Sequence, residues 1–391
     1  MAEVYLDNCA TTQVHSEVAK LMMTALREDY GNPSSAHRRG QVAEQMVKRA
    51  RRQVADILRV KAGEIHFTSG GTESNNWALM GTAITLAKQG KRLVTTQVEH
   101  PSVLEVFRHL EDQGFQVIYV PVDEYGLIKL GELATALSSD TILVSTMHVN
   151  NEVGAVMPLA EVSQLLKERA AQAVWHVDAV QSFGRLPLFP RELGIDLVSI
   201  SGHKIQGPKG AGALFVRSGL GLKPLLYGGG QEDGYRSGTE NVPGIVGLGL
   251  AAELMWAQRE SVTQHWLKLK DRLCRQLMKD IPDVFINGPQ GQAAAAHILN
   301  LSFSGLKGEV LLHALEDKGI YVATGAACSS RKAPGSHVLA AMGLPPWRRD
   351  GAIRLSFYSG NTMDEIDYTA RCLGEIVPQL RRIMQGPNRN R

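Results

Sequence analysis

The chain has 391 residues, of which 44% are hydrophobic and 21% charged, with a formal net charge of +3. This length exceeds one small core and points to two domains of ordinary size, and the composition is that of a soluble globular protein. Interspersed acids and bases with so small an excess exclude a dedicated nucleic-acid binder, and no window approaches ~18 uninterrupted apolar residues, which argues against a membrane span.

From the start, MAEVYLDNCATT has no basic stretch followed by an apolar one, so no secretion signal is expected. The Lys48–Arg52 cluster lies in a helical pattern and reads as a solvated face. Beyond it, apolar runs at Ile65–Phe67, Arg92–Thr96, Gln116–Pro121, Thr141–Met147, Trp175–Val177 and Leu197–Ser201 read as strands. Helical patterns alternate with them at Glu73–Gln89, Ser102–Gln113, Lys129–Leu137, Leu159–Gln172 and Pro190–Leu193. Such alternation predicts an α/β fold with a mostly parallel sheet, to which Gly212–Val216 adds a further strand. After Pro243 and Gly244, Val246–Lys279 reads as one long helix or two broken ones. A smaller α+β unit follows, with strands at Ala296–Ser302, Gly319–Ala323 and Ala352–Phe357 and helices at Lys307–Lys318, Ser336–Met342 and Met363–Met384. The expected division is a large domain over residues 14–257 and a small one over residues 1–13 and 258–391.

In open α/β sheets, ligands bind beyond the C-terminal ends of the strands. Lys204 closely follows one such run, among Ser201, Gly202 and His203. A lysine there can have its amine desolvated, which lowers its pKa and frees the lone pair for Schiff-base chemistry. Asp178 ends another run. It suits either a helix N-cap or a carboxylate for a pyridinium nitrogen, with Gln181 one turn on. In FTSGGTESNN, Gly70 and Gly71 precede a helix opened by Thr72. That combination makes either a capped helix or an anion cradle, and it lacks the Gly-Lys-Ser/Thr ending of a Walker loop. His100, in VEHPSV, can stack on a planar group and move protons. Asn150, Asn151 and Glu152 follow the run that ends at Val149.

The chain resembles the NifS/IscS-type cysteine desulfurases, within the class V aminotransferase group of fold type I pyridoxal-phosphate enzymes. The resemblance runs from YLDNCATT to MDEID and rests on GNPSSAHRRG, TSGGTESNN, EHPSV, MHVNNEVG, HVDAVQS, SGHKIQGPKG, GGGQEDGYRSGTENVPG and TGAACSS. It implies a pyridoxal 5'-phosphate cofactor carried on Lys204. Asp178 would pair with the ring nitrogen, Gln181 with the ring hydroxyl, and His100 would stack on the ring. Gly71, Thr72, Ser201 and His203 would hold the phosphate, and Thr239 would reach the phosphate of the partner subunit in a homodimer. Asn151 would sit near cofactor and substrate, and Arg354 would clamp the carboxylate of L-cysteine with its guanidinium fork.

Of the four cysteines, Cys9, Cys274, Cys328 and Cys372, none forms a CxxC pair or a zinc-like spacing. A reducing, cytoplasmic setting is expected, with no resident metal. Taken alone, Cys328 reads as a buried structural cysteine. The resemblance instead makes it the nucleophile that receives sulfur as a persulfide while cysteine becomes alanine, and at most a transient ligand of an iron–sulfur cluster. The distance from Cys328 to Arg354 fits the subgroup with the longer catalytic loop. His100 is the expected base for the Cys328 thiol. The sulfur acceptor would be an iron–sulfur scaffold or a tRNA-thiolation protein. Cys9 stands where many members carry alanine and reads as a tolerated small substitution. The RKAPGS run after Cys328 is less typical of the better-known members. A selenocysteine lyase or another class V aminotransferase would reuse Lys204 and Asp178, and a scaffold without activity would have no need of them.

Overall fold

The computed structural model describes residues 3–324 and 335–385. Its main sheet has seven strands in the order Ile65–Thr68, Gly212–Val216, Leu197–Ser201, Val174–Asp178, Thr141–Met147, Arg92–Thr96, Gln116–Val120. The last five are parallel to one another. Gly212–Val216 is antiparallel to both its neighbours, so Ile65–Thr68 runs with the other five and Gly212–Val216 alone runs against them.

Neighbouring residues along each strand feed opposite faces, as the two-residue strand period requires. Leu93, Leu143, Leu197 and Leu214 enter one apolar cluster with Trp77 and Phe107. Val94, Val144, Val198 and Phe215 enter the other, larger cluster. Thr141–Met147 and Leu197–Ser201 are buried along their whole length. That burial matches strands covered on both faces and explains why they read as continuous apolar runs.

The strand and helix expectations hold between residues 65 and 216, with ends shifted by a few residues. Val242–Asp280 is a single helix of 39 residues. Pro243 sits in its first turn, where a missing N–H costs no helical bond, and Asn241 caps it by accepting Gly244 N–H at 3.1 Å. The smaller sheet is antiparallel, with Ile298–Phe303 between Val284–Asn287 and Ala352–Ser356. Val4–Tyr5 pairs with Ile320–Tyr321, which joins the N-terminal segment to the C-terminal part of the chain. The helical pattern expected at Lys48–Arg52 is part of helix Arg38–Leu58, while helices Ser16–Arg27 and Pro346–Asp350 and strand Val284–Asn287 have no counterpart among the sequence expectations.

One expectation needs correction. Lys48, Arg49 and Arg52 do face solvent, but Arg51 turns inward. Its guanidinium forks onto Glu232 at 2.7 and 2.8 Å, and Glu232 also accepts Phe67 N–H at 2.9 Å. This ion pair, with Arg236 on Glu73 at 2.8 Å, ties the segment leading to Thr239 against the Ile65–Thr68 strand and the helix after it. No helix among the described residues is long and apolar enough to cross a membrane.

Candidate active site

The six co-directional strands all end at one edge of the sheet, and a cavity of about 350 Å³ opens there. Gly71, Thr72, His100, Asn151, Asp178, Gln181, Ser201, His203, Lys204 and Arg354 all line it. Thr239 is exposed and is not among the lining residues. Cys328 lies outside the described residues.

Lys204 comes at the end of one 3-10 turn, Gly202–Lys204, directly after the Leu197–Ser201 strand. Its Nζ donates to the carbonyls of Cys9 at 2.5 Å and Ala10 at 2.8 Å. Thr12 holds that N-terminal segment in place by donating from Oγ1 to the His203 carbonyl at 2.8 Å. The Cys9 carbonyl also accepts Gln181 Nε2 at 3.0 Å. The Cys9 side chain packs with Val149, Ala295 and Ile298. Position 9 thus serves the lysine through its backbone, and its side chain belongs to an apolar cluster.

Asp178 is buried and makes no ion pair among the described residues. Oδ1 accepts Val180 N–H at 2.9 Å, and Oδ2 accepts Asn75 Nδ2 at 2.8 Å. Asn75 donates its other amide hydrogen to Ser102 Oγ, also at 2.8 Å. Ser102 Oγ lies 2.8 Å from His100 Nδ1, and Ser102 N–H donates to the same nitrogen at 3.1 Å. One chain of bonds thus joins Asp178 to His100. In neutral His100 the proton must then sit on Nε2. Burial holds His100 below the ordinary imidazole range, with Asp178 opposing and Lys204 and His337 reinforcing the shift. His100 therefore offers the cavity a donor, where the sequence led to the expectation of a base.

At the other end, Gly70 precedes the helix Gly71–Leu86 with φ +151°, a conformation L side chains rarely adopt. The first N–H groups of that helix have no intrahelical acceptors and favour an anion. His203 lines the same cavity, with Nδ1 3.2 Å from Thr11 Oγ1. Burial, then Lys204 and Lys209, push its pKa down to about 4. Arg354 is buried too, donating from Nη2 to Asp7 at 2.8 Å and from Nη1 to the Asn151 carbonyl at 2.9 Å. Its Nε is buried with no partner among the described residues.

Sequence reading passed over several residues around this cavity. Asn75 lies four residues beyond Gly71 on the same helix, hence on the same face, and that spacing would have found it. Arg185 is fully enclosed; it bonds the Gln181 carbonyl at 3.1 Å and the Lys204 carbonyl, and burial pulls its pKa down to about 10. His337, also passed over, lines the cavity, as does Glu152, which the sequence placed with Asn150 and Asn151 after a strand. Burial pushes Glu152 up to about 7, against the Ser336 hydrogen bond and the Arg354 charge.

A family model described as aminotransferase class-V matches residues 4–369. The chain is 46% identical to cysteine desulfurase IscS of Methanosarcina thermophila, over 97% of this chain and 93% of that protein. It is 43% identical to cysteine desulfurase IscS of Dictyoglomus turgidum, over 97% and 96%. A solved NifS-like protein superposes with a TM-score of 0.92 at 41% identity, covering 97% of this chain and all 100% of the other. SspA in complex with cysteine superposes with a TM-score of 0.79 at 33% identity, over 91% of this chain and 99% of that one. The chain belongs to the class-V aminotransferase family, in its group of NifS/IscS-type cysteine desulfurases.

Proposed function

We propose that this chain is a pyridoxal 5'-phosphate-dependent cysteine desulfurase. It converts L-cysteine to L-alanine and passes the sulfur, through a persulfide on Cys328, to an acceptor protein. The observation that carries the reading is Asp178. A buried carboxylate with no ion pair among the described residues is costly unless a cation completes it. The cavity holding it also holds a lysine amine, a helix N-terminus and a guanidinium whose Nε has no partner among the described residues. Those features fit a protonated pyridine nitrogen, an aldehyde, a phosphate and a substrate carboxylate in turn.

In this reading Asp178 pairs with the ring nitrogen, His100 covers the ring and Gln181 reaches its hydroxyl. Gly71, Thr72, Ser201 and His203 hold the phosphate, and Lys204 Nζ makes the covalent link. Bound there, the cofactor supplies an electron sink for charge developing at the amino acid's Cα. Arg354, steadied by Asp7 and the Asn151 carbonyl, orients the substrate carboxylate. Once released, Lys204 Nζ takes the α-proton. The Cys328 thiolate attacks the substrate sulfur, the S–Cβ bond breaks with its electron pair going to carbon, and Cys328 keeps the sulfur. His100 Nε2–H supplies a proton to the carbon that becomes the alanine methyl group. Exchange with an acceptor thiol then discharges the persulfide.

Several parts of the reading concern the assembly. The large domain spans residues 14–257, with the seven-stranded sheet; residues 1–13 and 258–391 form the small one, with the three-stranded sheet. A homodimer brings Thr239 to the other subunit's phosphate. Exposed Met23, Leu26, Tyr30 and Tyr227 support a second copy covering this chain. The acceptor is an iron–sulfur scaffold or a tRNA-thiolation enzyme, in the cytoplasm. The deciding experiment measures sulfide and alanine from L-cysteine with a reductant, for wild type and Cys328→Ala. Both products from wild type, and neither from a variant that keeps its yellow cofactor, support the reading. Undiminished alanine from Cys328→Ala overturns it.

A further inference from the structure

Three histidines line the cavity, His100, His203 and His337, and hydrogen bonds place the proton of both His100 and His337 on Nε2, with Nδ1 engaged by a donor in His100 alone of these two among the described residues. His100 accepts at Nδ1 from Ser102 N–H and carries its proton on Nε2. His337 Nε2 lies 3.0 Å from the carbonyl oxygen of Glu99, which can only accept. Nε2 therefore carries the proton in neutral His337, and Nδ1 holds the lone pair. That nitrogen makes no hydrogen bond among the described residues.

The ring is fixed from several sides. Ser336 caps the helix that begins at His337 by accepting Leu339 N–H at 3.0 Å, and its hydroxyl donates to Glu152. The Glu99 carbonyl comes from the turn that also carries His100. Burial keeps His337 below the ordinary imidazole range, with the Glu99 hydrogen bond opposing and Arg108 reinforcing. The titratable and charged groups around it are His100, Arg108 and, through Ser336, Glu152; Asp178, Lys204 and Arg354 line the same cavity.

We propose that His337 Nδ1 is the proton acceptor for a thiol entering this cavity. The inference rests on the desulfurase reading, which needs a thiolate there and which leaves His100 without a free acceptor nitrogen. The S–H bond breaks, its electron pair stays on sulfur, and the proton passes to Nδ1, making an imidazolium that returns the proton to solvent. Two thiols qualify: that of the substrate and that of Cys328, nine residues earlier in the chain and within an extended reach of about 30 Å.

The test uses His337→Gln in the holoenzyme. Glutamine keeps a donor for the Glu99 carbonyl and removes the basic nitrogen. Iodoacetamide labelling of Cys328, mapped by mass spectrometry without substrate, reads the thiolate directly. An ordinary thiol is about 3% thiolate at pH 7. If Cys328 is the proton donor, labelling of His337→Gln at pH 7 is about tenfold slower than wild type, is restored by added imidazole, and matches wild type at pH 10. If the substrate thiol is the donor, L-cysteine binds the variant about tenfold more weakly while L-serine binds as before. Unchanged labelling together with unchanged cysteine binding overturns the proposal. Should the variant unfold, the wild type decides on both readouts: a Cys328 labelling midpoint well below the ordinary thiol range, or L-cysteine bound more tightly than L-serine, supports the acceptor, and an ordinary midpoint together with no such preference overturns it. None of these readouts needs turnover. A wild-type enzyme that makes no alanine from cysteine therefore overturns the desulfurase reading separately.

Discussion

Asn75 reaches Asp178 at 2.8 Å and Ser102 at the same distance, so one amide fixes both the carboxylate and, through the serine, the His100 ring. Its own Oδ1 is buried without a partner among the described residues. An amide in that position acts as a positioning residue for two groups expected to face the cofactor. Asn75→Asp sets a second carboxylate against Asp178 and disfavours ionisation of the pair. The expected result is a loss of about 10- to 100-fold in kcat/KM, on the scale of a broken buried hydrogen-bond pair. A shift in the pH midpoint of the visible cofactor band should accompany it. An unmoved midpoint would leave Asn75 a packing residue only.

Glu152 should make stability depend on pH. Its carboxyl is raised from an ordinary 4.5 to about 7, with burial as the leading cause. Between those values the folded chain holds a proton that the unfolded chain has lost, so stability falls as pH rises through that window. The full difference is about 3 kcal/mol. Glu152→Gln has no carboxyl to titrate and can still accept from Ser336. Thermal unfolding at pH 5 and pH 8 should show wild type losing roughly 4 °C more than the variant across that interval. Parallel losses in the two proteins would contradict the assignment.

Cys9→Ala should be close to silent in activity. The position works through its carbonyl, which accepts Lys204 Nζ and Gln181 Nε2, and alanine keeps that carbonyl. Removing Sγ from the cluster with Val149, Ala295 and Ile298 should cost about 1 kcal/mol of stability. A large fall in sulfide release with unchanged unfolding would mean the thiol itself takes part.

The parts that were legible in the sequence share a physical cause. Strands buried on both faces, such as Thr141–Met147, leave uninterrupted apolar runs, and the small polar residues after them mark the sheet edge where the cavity opens. Helix Arg38–Leu58 was harder to read because its buried stripe of Ala43, Val47, Ala50 and Val54 uses small side chains among many charges. Val284–Asn287 is an edge strand of four residues, only partly buried, with little pattern to see. Within the site, Lys204, Asp178, Thr72 and His100 stood out from their types and their places after the strands, Arg354 came from the family resemblance, and all of these line the cavity. The residues that orient them were missed, because Asn75, Arg185 and His337 gain their meaning from contacts across the fold. Arg51 shows the same limit: its charge was legible, and its partner Glu232 lies 181 positions away.

Gly212 offers a test of how the fold builds the phosphate end. It sits on the one strand that runs against the other six, directly against the Gly70 turn. A Cβ at Gly212 would lie 2.5 Å from Gly70 Cα and 2.6 Å from the Ile200 carbonyl oxygen. Both are backbone atoms, so no side chain can swing aside, and strain of ~1–3 kcal/mol is expected. The cheapest relief is a shift of the Gly70–Gly71 turn, since the Ile200 side is locked into the sheet. Gly212→Ala should therefore lower the unfolding temperature modestly and weaken retention of pyridoxal phosphate more than tenfold, read by absorbance after dialysis. Wild-type retention at a lowered unfolding temperature would mean that the strand yields and that the cradle does not depend on this contact.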